Sequence, residues 1–196
     1  MPALKTSVLD SSAMPESADE TGLASEKNRR FSAELLVRGQ SEARRKFPEL
    51  AATHVISIKL PGHSYLGPRG LSPEHQCFVS FDDIDDLKAP NAPDVEMVER
   101  LLTFARGIPE DGRLLVHGLL GVRRSTAVAL GLLADRLPPV EAAQALTPLC
   151  SQPPDPQPLV LKLFDEVLGH KGALCEAAAM RFVQGRGAIR RRVSGT

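Results

Sequence analysis

Short apolar runs alternate with amphipathic stretches through the middle of this chain, and the alternation predicts strands separated by helices. AELLVRG from residue 33, THVISIK from residue 53 and QCFVSF from residue 76 each predict a strand, as does the run around LLV at 114–116. QSEARRKFPELAA, between the first two, predicts a helical piece broken near Pro48. The β-α-β order favours parallel pairing, so we expect an α/β fold with a central, mostly parallel sheet flanked by helices.

The second half of the chain adds helical patterns. Pro93 and Asp94 open VEMVERLLTFARG, whose apolar positions trace one helix face up to Gly107. A helix from Ala127 to Leu137 is predicted next, then VEAAQALTPL, a proline-rich connector SQPPDPQP, and a last amphipathic helix at 159–169 that we expect to pack on the sheet. A glycine-rich and proline-rich loop at 60–75 separates the second and third predicted strands, and an acidic stretch, DDIDDLKAPNAPD, follows the third.

The two ends of the chain look unlike this middle. Residues 1–30 are rich in Ser, Ala, Glu and Asp and lack aromatic side chains, which predicts a disordered leader, with a partner-binding arm as the alternative. We place the domain at 31–172. Residues 173–196 predict a short helix, ALCEAAAMRFV, and a basic tail, which we expect to be solvated rather than bound to nucleic acid, an acidic partner or a membrane face. The tail arginines are Arg186, Arg190, Arg191 and Arg192.

Composition narrows the choice of compartment and partner. The 24 basic and 24 acidic residues cancel, so the overall charge gives no reason to expect nucleic acid or membrane as a partner. Three cysteines without metal-ligand spacing favour a reducing compartment, and Cys77, inside a predicted strand, is expected to be a small buried residue. No long apolar stretch or secretory signal core is present in the sequence. We therefore expect a cytoplasmic protein with no metal or other cofactor.

The stretch RLLVHGLLGVRRSTAVALGLL, residues 113–133, carries the candidate chemistry. A buried strand leads into a turn from Gly118 to Gly121, which is followed by a helix. Glycines let backbone N–H groups converge, the helix N-terminus adds unpaired N–H groups, and Arg123 and Arg124 bring guanidinium groups that match phosphate oxygens. This arrangement predicts an anion site, most simply for phosphate. The alternative is a tight turn with solvated arginines.

VHGLLGVRRST, residues 116–126, resembles the phosphate-binding loop (P-loop) of the cysteine-dependent protein tyrosine and dual-specificity phosphatases, especially a bacterial group of small tyrosine-phosphatase-like proteins. That pattern is His-Cys, five residues, Arg, then Ser or Thr. His117, Gly121, Arg124 and Ser125 match it, whereas Gly118 stands where the family has its nucleophilic cysteine. The resemblance covers about residues 33–170.

The resemblance implies a role for each matching position. The cysteine thiolate would attack phosphorus, Arg124 would hold the phosphoryl oxygens, and Ser125 would assist the departing thiolate. The family's general acid falls on Asp83, with Asp82, Asp85 and Asp86 as competitors from an otherwise solvated turn. His63, Tyr65 and Arg69 could contact a ligand, although loop residues that are merely solvated are the commoner case. The implied phosphate-binding set is Gly118, Leu119, Leu120, Gly121, Val122, Arg123 and Arg124.

Glycine cannot perform the nucleophilic step, so the sequence predicts a pseudophosphatase that binds phosphate, a phosphorylated protein or a small phosphate ligand. Three alternatives stay open. One is an active protein phosphatase whose catalytic cysteine has been replaced by Gly118. Another is a hydrolase in which an acidic-loop carboxylate activates water, and the third is a structural protein that no longer uses the cleft. The family's phosphotyrosine, phosphoserine or phosphothreonine and smaller phosphate substrates are all compatible with these residues.

Overall fold

A four-stranded parallel sheet lies at the centre of the computed structural model, which describes residues 29–64 and 67–182. Its strands are β1 (Glu34–Gly39), β2 (His54–Lys59), β3 (Gln76–Ser80) and β4 (Arg113–Gly118), in the spatial order β1-β4-β2-β3. Strand β4 pairs with β1 on one side and with β2 on the other. The predicted α/β fold with a parallel sheet is confirmed.

Helices cover both faces of the sheet, as parallel sheets require. The expected break near Pro48 falls at Lys46, because proline is tolerated in the first turn of a helix, where its missing N–H is not needed. Asp94 caps its helix as predicted, accepting a bond of 2.8 Å from Met97 N. The helices are α1 (Gln40–Arg45), α2 (Phe47–Leu50), α3 (Val95–Arg106), α4 (Arg124–Ala134), α5 (Pro139–Leu146), α6 (Pro158–Leu168) and α7 (173–182), with 3₁₀ turns at Pro73–His75 and Thr147–Leu149.

Helix α4 begins three residues earlier than predicted and ends at Ala134 rather than at Leu137. The early start places Ser125 and Thr126 inside its first turn, where the Thr126 hydroxyl donates to the carbonyls of Val122 and Arg123. All eleven residues of the helix are buried. The sequence placed Arg124 in the turn and Ser125 and Thr126 at the opening of the helix, whereas the helix begins at Arg124 with Arg123 as its N-cap.

The main core lies between one face of the sheet and helices α3 to α7, and a smaller cluster around Val55 and Leu115 lies under α1 and α2. Helix α4 contacts β1 and β4, whereas α6 packs against α3 and α4. The expectation that α6 packs on the sheet is therefore wrong, because α4 occupies that position. At the contact between the two helices, the ring of Phe164 fills the space that a side chain at Gly131 would need.

The ends of the described chain join the same core. Phe31 is fully buried and its N–H donates to the Asp135 carboxylate, 2.9 Å away. Helix α7 is attached through Asp165, which accepts the Leu174 N–H at 2.7 Å. Most of the predicted leader, residues 1–28, and the basic tail, residues 183–196, lie outside the described residues. None of the helices described is both long enough and apolar enough to cross a membrane.

Candidate active site

The loop between β4 and α4, residues 118–124, is called the anion loop below. Its carbonyl groups bond to surrounding segments: Leu119 O accepts from Gln40 N at 3.3 Å, Val122 O from Asp155 N at 3.2 Å, and Arg123 O from Gln157 N at 3.4 Å. A trans peptide plane points its N–H opposite to its carbonyl, so the amides of residues 120, 123 and 124 point away from these partners.

Within the described chain, the N–H groups of residues 119–123 donate to no other backbone group. All seven residues of the anion loop line a hollow with a volume of about 300 Å³. Three further residues complete the lining. These are Asp83, Ser125 and Asp155.

Gly121 is required by the shape of the loop. Its φ is +74°, in the left-handed region, and a Cβ there would lie 2.5 Å from Gly39 N and 2.6 Å from Arg38 C. Only glycine lets the loop approach the end of β1 this closely. The match of Gly121 to the phosphatase pattern therefore has a physical reason in this structure.

Gly118 differs from Gly121 because nothing in its surroundings demands glycine. A Cβ at this position would lie 3.7 Å from Ser125 Oγ and 3.8 Å from Ile58 Cβ, which are ordinary contact distances. The position lies at the end of β4 and lines the hollow. The structure therefore has room for a side chain where the resemblance places the nucleophile, and glycine leaves that room without a reactive group.

Arg124 is buried, with 8% of its surface exposed, and it lines the hollow from the first position of α4. Its Nη1 donates to Phe81 O at 2.7 Å and to Lys59 O at 3.2 Å, just beyond β3 and at the end of β2. Burial lowers the pKa of Arg124, while the charges of Asp83 and Asp82 act in the opposite direction. A guanidinium remains protonated despite such shifts, so Arg124 contributes a positive charge to the wall.

His117 lies beneath the loop rather than in the wall of the hollow. The side chain is 1% exposed, and its Nε2 is 2.9 Å from Ser57 Oγ on β2. Burial lowers the pKa of His117 to about 4, so the ring is neutral at pH 7. The ring therefore ties β4 to β2 below the anion loop.

Asp83 is the one aspartate of the acidic stretch that lines the hollow, at the position that the resemblance implies. Its two carboxylate oxygens accept from Arg123 Nε at 3.0 and 2.8 Å. The three competing candidates, Asp82, Asp85 and Asp86, bond elsewhere. Asp82 accepts from Asn91 Nδ2 at 3.2 Å, Asp85 from Gln157 Nε2 at 3.4 Å, and Asp86 from Lys88 N at 2.9 Å.

Asp155 was missed by the sequence analysis. Its Oδ2 accepts from Arg123 Nη1 at 2.9 Å, so the arginine predicted to bind phosphate is engaged by two carboxylates in this structure. The available signal was weak: Asp155 is the single charged residue in the connector SQPPDPQP. Of the other candidates, His63 is exposed beside an adjoining hollow with Lys59 and Leu119, Arg69 is exposed away from both, and Tyr65 lies outside the described residues.

No group of three or more His, Cys, Asp or Glu side chains in the described ranges could hold a metal ion. Cys77 is buried as expected, and burial raises the pKa of its thiol. The polar and charged residues that line the hollow are thus Arg123, Arg124, Ser125, Asp83 and Asp155, together with the backbone of the anion loop.

The sequence matches no protein-family model and no curated protein. The fold, however, is found among solved structures. The human tyrosine phosphatase-like serine/threonine/tyrosine-interacting protein superposes with a TM-score of 0.55 at 19% identity, covering 70% of this chain and 92% of that one. PTPMT1 in complex with PI(5)P superposes with a TM-score of 0.50 at 16% identity, covering 74% and 96%. This chain therefore has the fold of the dual-specificity and tyrosine phosphatases.

Proposed function

We propose that this protein binds phosphate, or the phosphate group of a phosphorylated protein or small molecule, in the hollow at the anion loop, and that it does not hydrolyse the ester through a phosphocysteine. One observation carries the proposal: three loop carbonyls bond to surrounding segments, and the loop residues from Gly118 to Arg124 line one hollow. Backbone amides and a guanidinium are sufficient to hold a phosphate.

Phosphocysteine catalysis requires a thiolate at position 118, which Gly118 cannot supply. Glycine has no nucleophile, and Ser125 would need a base to activate its hydroxyl. The ring of His117 bonds instead to Ser57 on the neighbouring strand. Loss of a thiolate also removes a negative charge from below the phosphate, which favours binding of the dianion.

The solved neighbours support a binding function. One is named a phosphatase-like interacting protein, and the other was solved with the phosphoinositide PI(5)P. The second candidate function is an active phosphatase with cysteine at position 118, and the observation that favours it is the room for a side chain there. The cytoplasmic location and the domain bounds at residues 30 and 172 stay predictions from the sequence.

The test is isothermal titration calorimetry of the full chain with inorganic phosphate, sulfate and O-phosphotyrosine. Replacing Arg124 by Ala should weaken binding by at least about tenfold, because a hydrogen bond to a charged group is worth roughly 1.5–3 kcal/mol. Arg124→Lys serves as a second variant that keeps the charge. Arg113→Ala is the matched control, since Arg113 begins β4, at the opposite end of the strand from the loop, in an exposed pair with Glu34.

Equal affinities in the native chain and Arg124→Ala would refute the proposal, as would the absence of any binding by the native chain. Hydrolysis of p-nitrophenyl phosphate by the native chain, abolished by Arg124→Ala, would establish an enzyme instead. Far-UV circular dichroism verifies that each variant is folded, because Arg124 is buried and donates to two strand-end carbonyls.

A further inference from the structure

The side chain of Arg123 joins three segments at the mouth of the hollow. Its Nε donates to Asp83 in the acidic stretch at 2.8 Å, and its Nη1 donates to Asp155 in the connector at 2.9 Å. All three side chains are partly exposed, at 36% for Arg123, 31% for Asp83 and 30% for Asp155. Single exposed ion pairs are weak, but a shared guanidinium fixes the direction of both carboxylates.

Backbone and amide bonds reinforce the same junction. Asp155 N donates to Val122 O, Gln157 N donates to Arg123 O, and the Gln157 side chain donates to Ile84 O. The anion loop, the connector and the acidic stretch are therefore bonded to one another around Arg123. In this junction both carboxylate oxygens of Asp83 accept a hydrogen bond from Arg123 Nε.

This orientation matters for chemistry at the hollow. When the bond between phosphorus and an ester oxygen breaks, the leaving oxygen must gain a proton, and a carboxyl group in the wall is the usual donor. Asp83 lines the hollow on the side of Arg123, together with Asp155. The carboxylate oxygens of Asp83, however, are directed to the Arg123 guanidinium rather than toward a leaving oxygen that needs a proton.

We propose that Arg123 is a positioning residue that withholds Asp83 from proton donation, so that this site lacks an available acid as well as a nucleophile. The inference rests on the proposed function, because it places a phosphate ester in the same hollow. Its consequence is that a thiol restored at position 118 yields slow chemistry until Arg123 is also replaced.

The reaction in such a variant balances as follows. The introduced thiolate forms a bond to phosphorus while the bond from phosphorus to the ester oxygen breaks. The leaving oxygen takes the electron pair of that bond and a proton from the Asp83 carboxyl. Water then attacks phosphorus, which releases inorganic phosphate and regenerates the thiolate, while Asp83 takes the proton of that water.

The kinetic test compares Gly118→Cys with Gly118→Cys/Arg123→Met on phenyl phosphate and p-nitrophenyl phosphate. Phenolate is the poorer leaving group and depends more on protonation, so kcat/KM for phenyl phosphate, which reports the cleavage of the ester bond, should rise at least tenfold in the double variant, since general acids contribute roughly 10²- to 10⁴-fold. The gain with p-nitrophenyl phosphate should be smaller. Adding Asp83→Asn to the double variant should remove the gain on phenyl phosphate.

Arg113→Met in the Gly118→Cys background is the matched control. It removes an exposed arginine from its pair with Glu34 at the opposite end of β4 and leaves the pair between Arg123 and Asp83 in place, so no gain is expected. A merely structural effect of Arg123 would change both substrates alike and would not depend on Asp83. The dependence on leaving group and on Asp83 therefore separates positioning from folding.

The native chain provides a second test that does not require turnover. In hydrogen exchange followed by mass spectrometry, Arg123→Met should speed exchange in peptides covering residues 82–86 by at least several-fold. Unchanged exchange in this variant, or a double variant no faster than Gly118→Cys on phenyl phosphate, overturns the proposal. A native chain that fails to bind phosphate in calorimetry refutes the proposed function alone, and the exchange measurement still decides the role of Arg123.

Discussion

Two glycines of the anion loop offer a matched pair of substitutions with opposite expected results. Gly121→Ala puts a Cβ at φ +74° and within 2.5 to 2.8 Å of three backbone atoms of Arg38 and Gly39. Gly118→Ala puts a Cβ at ordinary contact distances from Ser125 and Ile58. Both variants add one methyl group to the same loop, so their difference isolates the backbone requirement.

The magnitudes follow from these contacts. A side chain in the left-handed region costs about 1–2 kcal/mol. The overlap with β1 involves backbone atoms, which cannot rotate away, and overpacking of this kind costs about 1–3 kcal/mol. We therefore expect Gly121→Ala to lower the free energy of unfolding by about 2–5 kcal/mol. Gly118→Ala should leave it unchanged or raise it by about 0.4–1 kcal/mol, because alanine restricts the unfolded chain.

Urea denaturation of both variants measures the free energies of unfolding, and calorimetry with phosphate measures the site. Gly118→Ala should bind phosphate within about threefold of the native affinity, since RT ln 3 is only about 0.6 kcal/mol. Gly121→Ala should bind at least about tenfold more weakly, because a displaced loop no longer aims its amides at one point. Equal stability and equal affinity of the two variants would refute this account of the loop.

Two further predictions concern the support of the site. Burial lowers the pKa of His117 to about 4, below its unfolded value of 6.5, so the unfolded state takes up the proton first as the pH falls. The free energy of unfolding should drop by up to about 3 kcal/mol between pH 6.5 and 4, and His117→Asn should flatten this pH dependence in urea titrations. Gly131→Ala should lower the stability by about 1–3 kcal/mol through its overlap with Phe164. In a Phe164→Ala background that penalty should vanish, and a persistent penalty would contradict the packing argument.

The elements of this fold were predictable because each carries a local signal. The strands around Leu36, Ile56 and Val116 are apolar runs, and α3 has its cap at Asp94. The insertion of β4 between β1 and β2 was not predictable, since pairing partners depend on contacts between distant segments. The packing of α6 on α3 and α4 was not predicted, because it depends on the complete burial of α4. The polar residues at the start of α4 gave no indication of that burial.

The site was predictable in outline for a similar reason. The spacing of His117, Gly121, Arg124 and Ser125 placed the loop, and Asp83 was assigned to the wall from the resemblance. The resemblance separated Gly118 from Gly121 by their positions in the pattern, but the sequence could not show which of the two glycines the backbone requires. Their difference lies in φ and in the distance to β1, and both of these belong to the folded chain.

Arg123 and Arg124 look equivalent in the sequence, but helix geometry gives their side chains different directions. Successive residues at the start of a helix point about 100° apart, and the two guanidinium groups accordingly bond to different segments of the chain. Arg124 turns to the ends of β2 and β3, and Arg123 turns to Asp83 and Asp155. Because two carboxylates offset Arg123, and Arg124 is in no ion pair among the described residues, Arg124 supplies the attraction for an anion. The salt dependence of phosphate binding should accordingly correspond to about one guanidinium charge rather than two.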